Sequence, residues 1–202
     1  MCDEWGWRAQ SVPLARAGRL FFLVLALMMA APHALAFDLP ALQKQLQQSH
    51  EVHGEFTQQR FLTALSKPLV SSGQFQLVPG KSLLWHVQKP FEQKVRVDET
   101  GMQHWRNGRW QPDTRTGGAA RAQLDFFMDM IGGRFDSLQK HFAIKLSGHE
   151  KQWKLQLDPS SVLMKKIFRR IDIDGDTHVR TVVLDEVQGD RVDMRFHALR
   201  RP

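Results

Sequence analysis

The stretch Ser71–Phe91, SSGQFQLVPGKSLLWHVQKPF, decides how the fold is read. Phe75 and Leu77, then Leu83, Trp85 and Val87, alternate with polar residues on either side of Pro79-Gly80. A period of two puts successive side chains on opposite faces of a strand, and Pro-Gly marks a turn, so the segment predicts a β-hairpin with one greasy, aromatic face. Whatever covers that face has to come from a chain that shows few helices.

Working outward, the same period recurs over 55–62, 72–78, 82–88, 93–98, 101–106, 142–147, 152–158, 166–174, 178–187 and 190–198. Turn signals separate these runs, among them Thr100-Gly101, Asn107-Gly108, Asp174-Gly175-Asp176 and Gln188-Gly189-Asp190. Spacing this close predicts antiparallel meanders rather than β-α-β units. Ile171-Asp172-Ile173-Asp174 and Val192-Asp193-Met194-Arg195-Phe196 place apolar groups on one face and charges on the other, the pattern of a sheet with one dry side. Ten such strands are expected to curl into a barrel or partial barrel, because a flat sheet of that size would leave long exposed edges.

Helical signals are sparse. Asp38 is a cap-type residue ahead of Leu39, Leu42 and Leu46, an apolar stripe at helical spacing. Beyond the polar loop Pro112–Gly118, residues Ala122–Ile131 carry Leu124, Phe127, Met128 and Ile131 on one face, and Gly132-Gly133 ends the run. Asp136–Gln139 reads as one more turn.

The first residues carry a different signal. Arg16 and Arg19 precede the twelve-residue apolar run Leu20–Ala31, and Ala34-Leu35-Ala36 is a small-residue cleavage site before Phe37. This is the order of a secretory signal peptide over residues 1–36, and the apolar run is too short for a span that needs about 20 residues. Residues 37–202 are then one mature domain, exported to the periplasm of a double-membraned bacterium. The one cysteine, Cys2, lies in the leader, so the mature chain has no disulfide, thiol nucleophile or lipidated cysteine.

Of the 202 residues, 42% are hydrophobic and 24% charged, the balance of an ordinary globule. Lys and Arg number 28 against 21 Asp and Glu, and they are scattered, which argues against nucleic acid as a partner and allows transient contact with anionic membrane surfaces. Lys165-Lys166 and Arg169-Arg170 are the main cluster, either at a barrel rim or on a solvated strand edge. His50 and His53 lack a third ligand. Asp172, Asp174 and Asp176 have their glycine at the wrong position for a calcium loop and read better as a hairpin turn. With no G-x-S-x-G motif and no cysteine in the mature chain, the expectation is a non-enzymatic protein without metal or cofactor.

Several segments in order carry a family resemblance: Gly54-Glu55-Phe56-Thr57-Gln58-Gln59-Arg60 after the first helix, Ser71-Ser72-Gly73-Gln74-Phe75, and Leu83-Leu84-Trp85-His86-Val87-Gln88-Lys89-Pro90-Phe91 with its W-x-x-x-x-P pattern. A strand, turn and strand then run through Gly101 and Trp105. Together they resemble the periplasmic outer-membrane lipoprotein carriers, the LolA-like family, over nearly the whole mature chain. One departure is the turn before the tryptophan strand, Pro79-Gly80-Lys81, where better-known members place a basic residue ahead of the proline.

The resemblance implies a mainly β fold: a half-open antiparallel barrel of about eleven strands closed by a helical lid. It also implies a monomeric carrier that takes an acylated lipid or lipoprotein from an inner-membrane exporter to an outer-membrane acceptor. Phe56, Phe75, Phe91, Trp85, Trp105 and Trp110 are then the candidate lining of a lipid pocket, with Leu124, Phe127, Met128 and Ile131 as the inner face of the lid. Large rings suit an apolar cavity, and they serve equally well as ordinary core. A lipid-sensing or adaptor domain of the same fold, bound to a signalling partner, is the alternative.

Overall fold

The computed structural model describes residues 37–48, 50–113 and 126–200. The leader, most of the polar loop after Pro112 and the lid candidate Leu124 lie outside the described residues. Helix α1 spans Leu39–Gln47 and is capped by Asp38, whose Oδ1 accepts the Ala41 N–H at 2.9 Å. Leu42 and Leu46 bury the predicted stripe.

Eleven strands follow: β1 Val52–Phe61, β2 Leu69–Val78, β3 Ser82–Lys89, β4 Gln93–Asp98, β5 Gly101–Arg106, β6 Arg109–Pro112, β7 Phe142–His149, β8 Gln152–Pro159, β9 Phe168–Gly175, β10 Val179–Glu186 and β11 Arg191–Arg200. Helix α2 occupies residues 126–131. Helices α3 (Phe135–Gln139) and α4 (Val162–Ile167) complete the set.

All strands join one antiparallel sheet in the order β6-β5-β4-β3-β2-β1-β11-β10-β9-β8-β7. The two halves of the chain meet where β1 pairs with β11, and β6 and β7 are the edges, so the sheet curls without closing. This is the mainly β, half-open barrel with a helical cover that the sequence predicts.

The register sets the dry face. Trp85 lies opposite Phe75, Leu83 opposite Leu77, and Phe56 opposite Phe196. Leu155, Leu157, Ile171 and Ile173 continue that face with no exposed surface. Outside, charges pair along the strands, as where Asp172 lies 3.7 Å from Lys154 and 3.5 Å from Arg170. Two glycines are there for space. A Cβ on Gly54 would meet the Phe75 ring at 2.7 Å, and one on Gly73 would sit 1.9 Å from the His86 carbonyl oxygen, at the irregularity between β2 and β3.

Two elements differ from the sequence reading. Strand β6 follows the two-residue turn Asn107-Gly108, both with positive φ, but its four residues hold a proline and a single large apolar ring, too little to show alternation. The strand expected over 166–174 begins instead at Phe168, because Ser161 caps α4 by accepting the Met164 N–H at 3.4 Å. That helix buries none of its residues, so no amphipathic stripe announces it.

Candidate functional site

The hairpin's apolar face packs against rings from its own sheet and from the lid. Trp85 stacks on Phe56 with ring centroids 3.9 Å apart and lies 5.9 Å from Phe75. Phe127 of α2 meets the Trp85 ring edge-on at 5.4 Å, and Phe196 of β11 closes the group at 5.3 Å from Phe75. A second ring cluster continues toward the far end of the barrel, where Phe126 of α2 stacks 5.3 Å from Phe142 and 6.0 Å from Phe168. The interior is thus an aromatic trough, and α2 lies in it with Phe126 and Phe127 reaching down to the two clusters.

The lid fills the trough. Beneath it, an apolar cavity of about 20 Å³ remains, bordered by Leu46, Phe75, Leu77, Ile131 and Phe196. That is less than one acyl chain requires. A wider groove of about 1150 Å³ opens at the end carrying the β2–β3 and β4–β5 turns. Its walls are polar, with Asp98, Glu99, Asp129, Arg134, Asp136 and Lys140 among them, and they do not suit hydrocarbon.

Four contacts hold the lid's surroundings. Gln47 Nε2 donates to the Gly133 carbonyl at 3.1 Å, joining α1 to the residues after α2. Gln45 Nε2 donates to the Asp176 carbonyl at 2.6 Å and to that of Glu150 at 3.2 Å, tying α1 to two turns of the sheet. Within the lid segment, the Arg134 guanidinium pairs with the buried Asp129 carboxylate. The Arg134 side chain also passes 3.9 Å from where a Gly80 Cβ would stand, so a cation does reach the Pro79-Gly80-Lys81 turn, supplied by the lid.

Asp176 anchors this end. Burial pushes its carboxyl up, but the His178 backbone N–H and the Arg180 guanidinium, 2.9 Å away, outweigh that and hold it below its ordinary value. The Asp176 carbonyl also takes the Trp153 indole N–H. The three aspartates at this hairpin are engaged separately: Asp172 with Lys154 and Arg170, Asp174 with Thr181, Asp176 with Arg180. His53 bonds to Glu51 at 2.7 Å.

The sequence candidates separate into groups. Phe56, Phe75, Trp85, Phe127 and Ile131 come together in or beside the trough. Met128 is buried too, but it borders the polar groove with Val97. Phe91 is 78% exposed in the β3–β4 connection. Trp105 and Trp110 pack on each other at 5.3 Å, with the Arg96 guanidinium 4.8 Å from the Trp110 ring. Arg96 lies opposite Gln103, and Trp105 two residues on shares that outward face, so both tryptophans stand on the convex side, away from the trough. Phe126, Phe142, Phe168 and Phe196 belong to the interior and were not singled out from sequence. For Phe196 the signal was there, in its alternation with Val192 and Met194.

The family model described as outer membrane lipoprotein carrier protein LolA-like matches residues 29–195. No curated protein matches the chain. Among solved structures, the LolA superfamily protein NE2245 from Nitrosomonas europaea is similar at 6% identity and a TM-score of 0.45, over 81% of this chain and 93% of that one. LprF from Mycobacterium bovis is similar at 17% identity and a TM-score of 0.41, covering 81% of this chain and 91% of its own. The MucA/MucB complex from Pseudomonas aeruginosa is similar at 15% identity and a TM-score of 0.39, over 80% of this chain and 55% of that one. With the family model matching most of its length, the chain belongs to the outer membrane lipoprotein carrier protein LolA-like family.

Proposed function

We propose that this protein is a periplasmic carrier whose aromatic trough takes the acyl chains of a lipoprotein or other acylated lipid and moves them from the inner to the outer membrane. The supporting observation is the way α2 sits. Its Phe127 packs on Trp85 and Phe196, which in turn pack on Phe56 and Phe75, and Gly132-Gly133 directly follows the helix. Rings that stack on a helix rather than on a continuous second sheet can exchange that helix for hydrocarbon at little net change in buried apolar area.

The energetics suit a shuttle. Burying roughly 10 methylenes gives about 8 kcal/mol before association costs, which corresponds to micromolar affinity at best. Moving α2 aside lowers this further, so the cargo is sheltered yet releasable. No group on the chain has to make or break a covalent bond. Residues 1–36 serve as the cleaved export signal, residues 37–202 as the carrier domain, and an inner-membrane exporter and an outer-membrane acceptor as its partners.

The test uses fatty acids brominated along the chain, which quench a tryptophan they touch. Quenching of Trp85 is expected on titration, with none from Trp105 or Trp110, and Trp85→Ala should bind a fluorescent fatty acid about tenfold more weakly. Unquenched Trp85 with undiminished uptake would remove the trough as the site. Native mass spectrometry of protein taken from its own periplasm weighs the cargo, and transfer to acceptor vesicles separates a carrier from a sensor that retains its lipid.

A further inference from the structure

In a single antiparallel sheet the connections alternate between two ends. One end holds the β2–β3, β4–β5, β7–β8 and β9–β10 turns; the other holds the β1–β2, β3–β4, β5–β6 and β10–β11 connections and α4. The ten large apolar side chains that stand exposed among the described residues all lie at this second end. They include Leu69 and Val70 at the start of β2, Phe91 in the β3–β4 connection, and Val162, Leu163 and Ile167 of α4. Phe91 is 78% exposed, Val162 74% and Leu163 60%. Exposed apolar residues scattered singly are unremarkable, but confinement of them all to one rim is not.

The pieces of this rim touch. The Val187 N–H donates to the Ile167 carbonyl at 2.9 Å, joining the β10–β11 turn to α4. The Thr63 N–H donates to Asp190 Oδ1 at 3.0 Å, joining the β1–β2 loop to the same turn. Charge on the rim leans to the cations, with Asp190, held by Thr63, the carboxylate that no cation engages among the described residues. Glu92 is engaged by Lys94 at 3.1 Å and His86 at 2.9 Å, Glu186 by Arg60 at 3.6 Å, and Asp193 by Arg191 at 2.6 Å. Lys67, Lys89, Lys165 and Lys166 are exposed and have no ion pair among the described residues.

We propose that this rim is a docking surface for a bilayer of anionic phospholipid. Apolar side chains at several loop tips enter the interface, and the unpaired lysines meet phosphate headgroups, as in interfacial anchors generally. A bilayer supplies both halves of what the rim lacks, hydrocarbon and negative charge, across several separate connections at once. The docking does not depend on what fills the trough. It would also bring the Phe168 end of the second ring cluster close to the lipid, since Phe168 directly follows α4.

The experiment is flotation of the purified exported protein with vesicles of phosphatidylcholine alone or mixed with phosphatidylglycerol. Binding is expected to the mixed vesicles and to fall with added salt. Lys165→Ala with Lys166→Ala should weaken it about 30-fold together, since each lysine near an anionic surface contributes roughly a fivefold factor. The triple change Phe91→Ser, Val162→Ser and Leu163→Ser, all at exposed positions, should abolish flotation with the melting temperature unchanged. An environment-sensitive dye at Leu163→Cys should shift to the blue on vesicles, while the same dye at Glu150→Cys, at the opposite end, should not. Trp85→Ala should float normally, which separates this surface from cargo uptake. Absence of flotation, flotation indifferent to the rim changes, or rim-dependent self-association in gel filtration without vesicle binding would each overturn the proposal.

Discussion

Trp85 shows what a single position carries. Its ring stacks on Phe56, meets Phe127 from the lid, and lies on the face that alternation assigned to the interior. Gly73, opposite Val87 on the same pair of strands, is there for backbone approach rather than for packing of a ring. Gly73→Ala should lower stability by about 1–3 kcal/mol, because the clash is with a carbonyl that cannot rotate away. Urea denaturation checks this, and a midpoint equal to that of the unchanged protein would show that β2 and β3 can part there. Asp176 gives a pH signature. Its carboxyl titrates lower when folded than the unfolded value of about 3.9, so the stability it contributes is fully present above that pH and lost as pH falls through the lowered value. Asp176→Asn should therefore show a shallower loss of stability as pH falls below about 4 than the parent does.

At the scale of elements, α2 and the residues after it are the part that the proposed carrier mechanism displaces. Gly133 has φ +69 and would place a Cβ 2.8 Å from the Leu46 Cβ, so Gly133→Ala strains the junction between lid and α1 in two ways. We expect it to loosen the lid, read as faster hydrogen exchange over residues 126–131, with strand amides unchanged. The Asp129–Arg134 pair acts within the same segment. Asp129→Asn leaves Arg134 without its partner and should accelerate uptake of a fluorescent fatty acid several-fold while costing about 1–2 kcal/mol of stability. Stopped-flow mixing measures the first effect and thermal unfolding the second. Strand β6 and helix α4 were illegible in the sequence for opposite reasons: β6 is too short for its period to register, and α4 buries no side chain, so hydrophobic patterning has nothing to mark.

The whole molecule combines a dry trough, a polar groove at one end and a greasy, basic rim at the other. The proposed export is tested at this scale as well. Intact mass of the protein from the periplasm should correspond to a chain beginning at Phe37, and a retained leader would turn residues 1–36 into an anchor instead.

Alternation by itself marked ten of the eleven strands and the dry face, and their close spacing the antiparallel meanders, because a period of two is written residue by residue and needs no partner to be seen. It also placed Phe75 and Trp85 on one side, where the register then adds Phe56. Tertiary structure alone decided that Trp105 and Trp110 face outward, since β5 has mixed residues on both faces and only its register with Arg96 on β4 fixes which side is which. It alone decided, too, that α2 fills the trough and that the exposed apolar residues gather on one rim. Those facts come from distant segments brought side by side by the curl of the sheet, and local sequence holds no record of that distance.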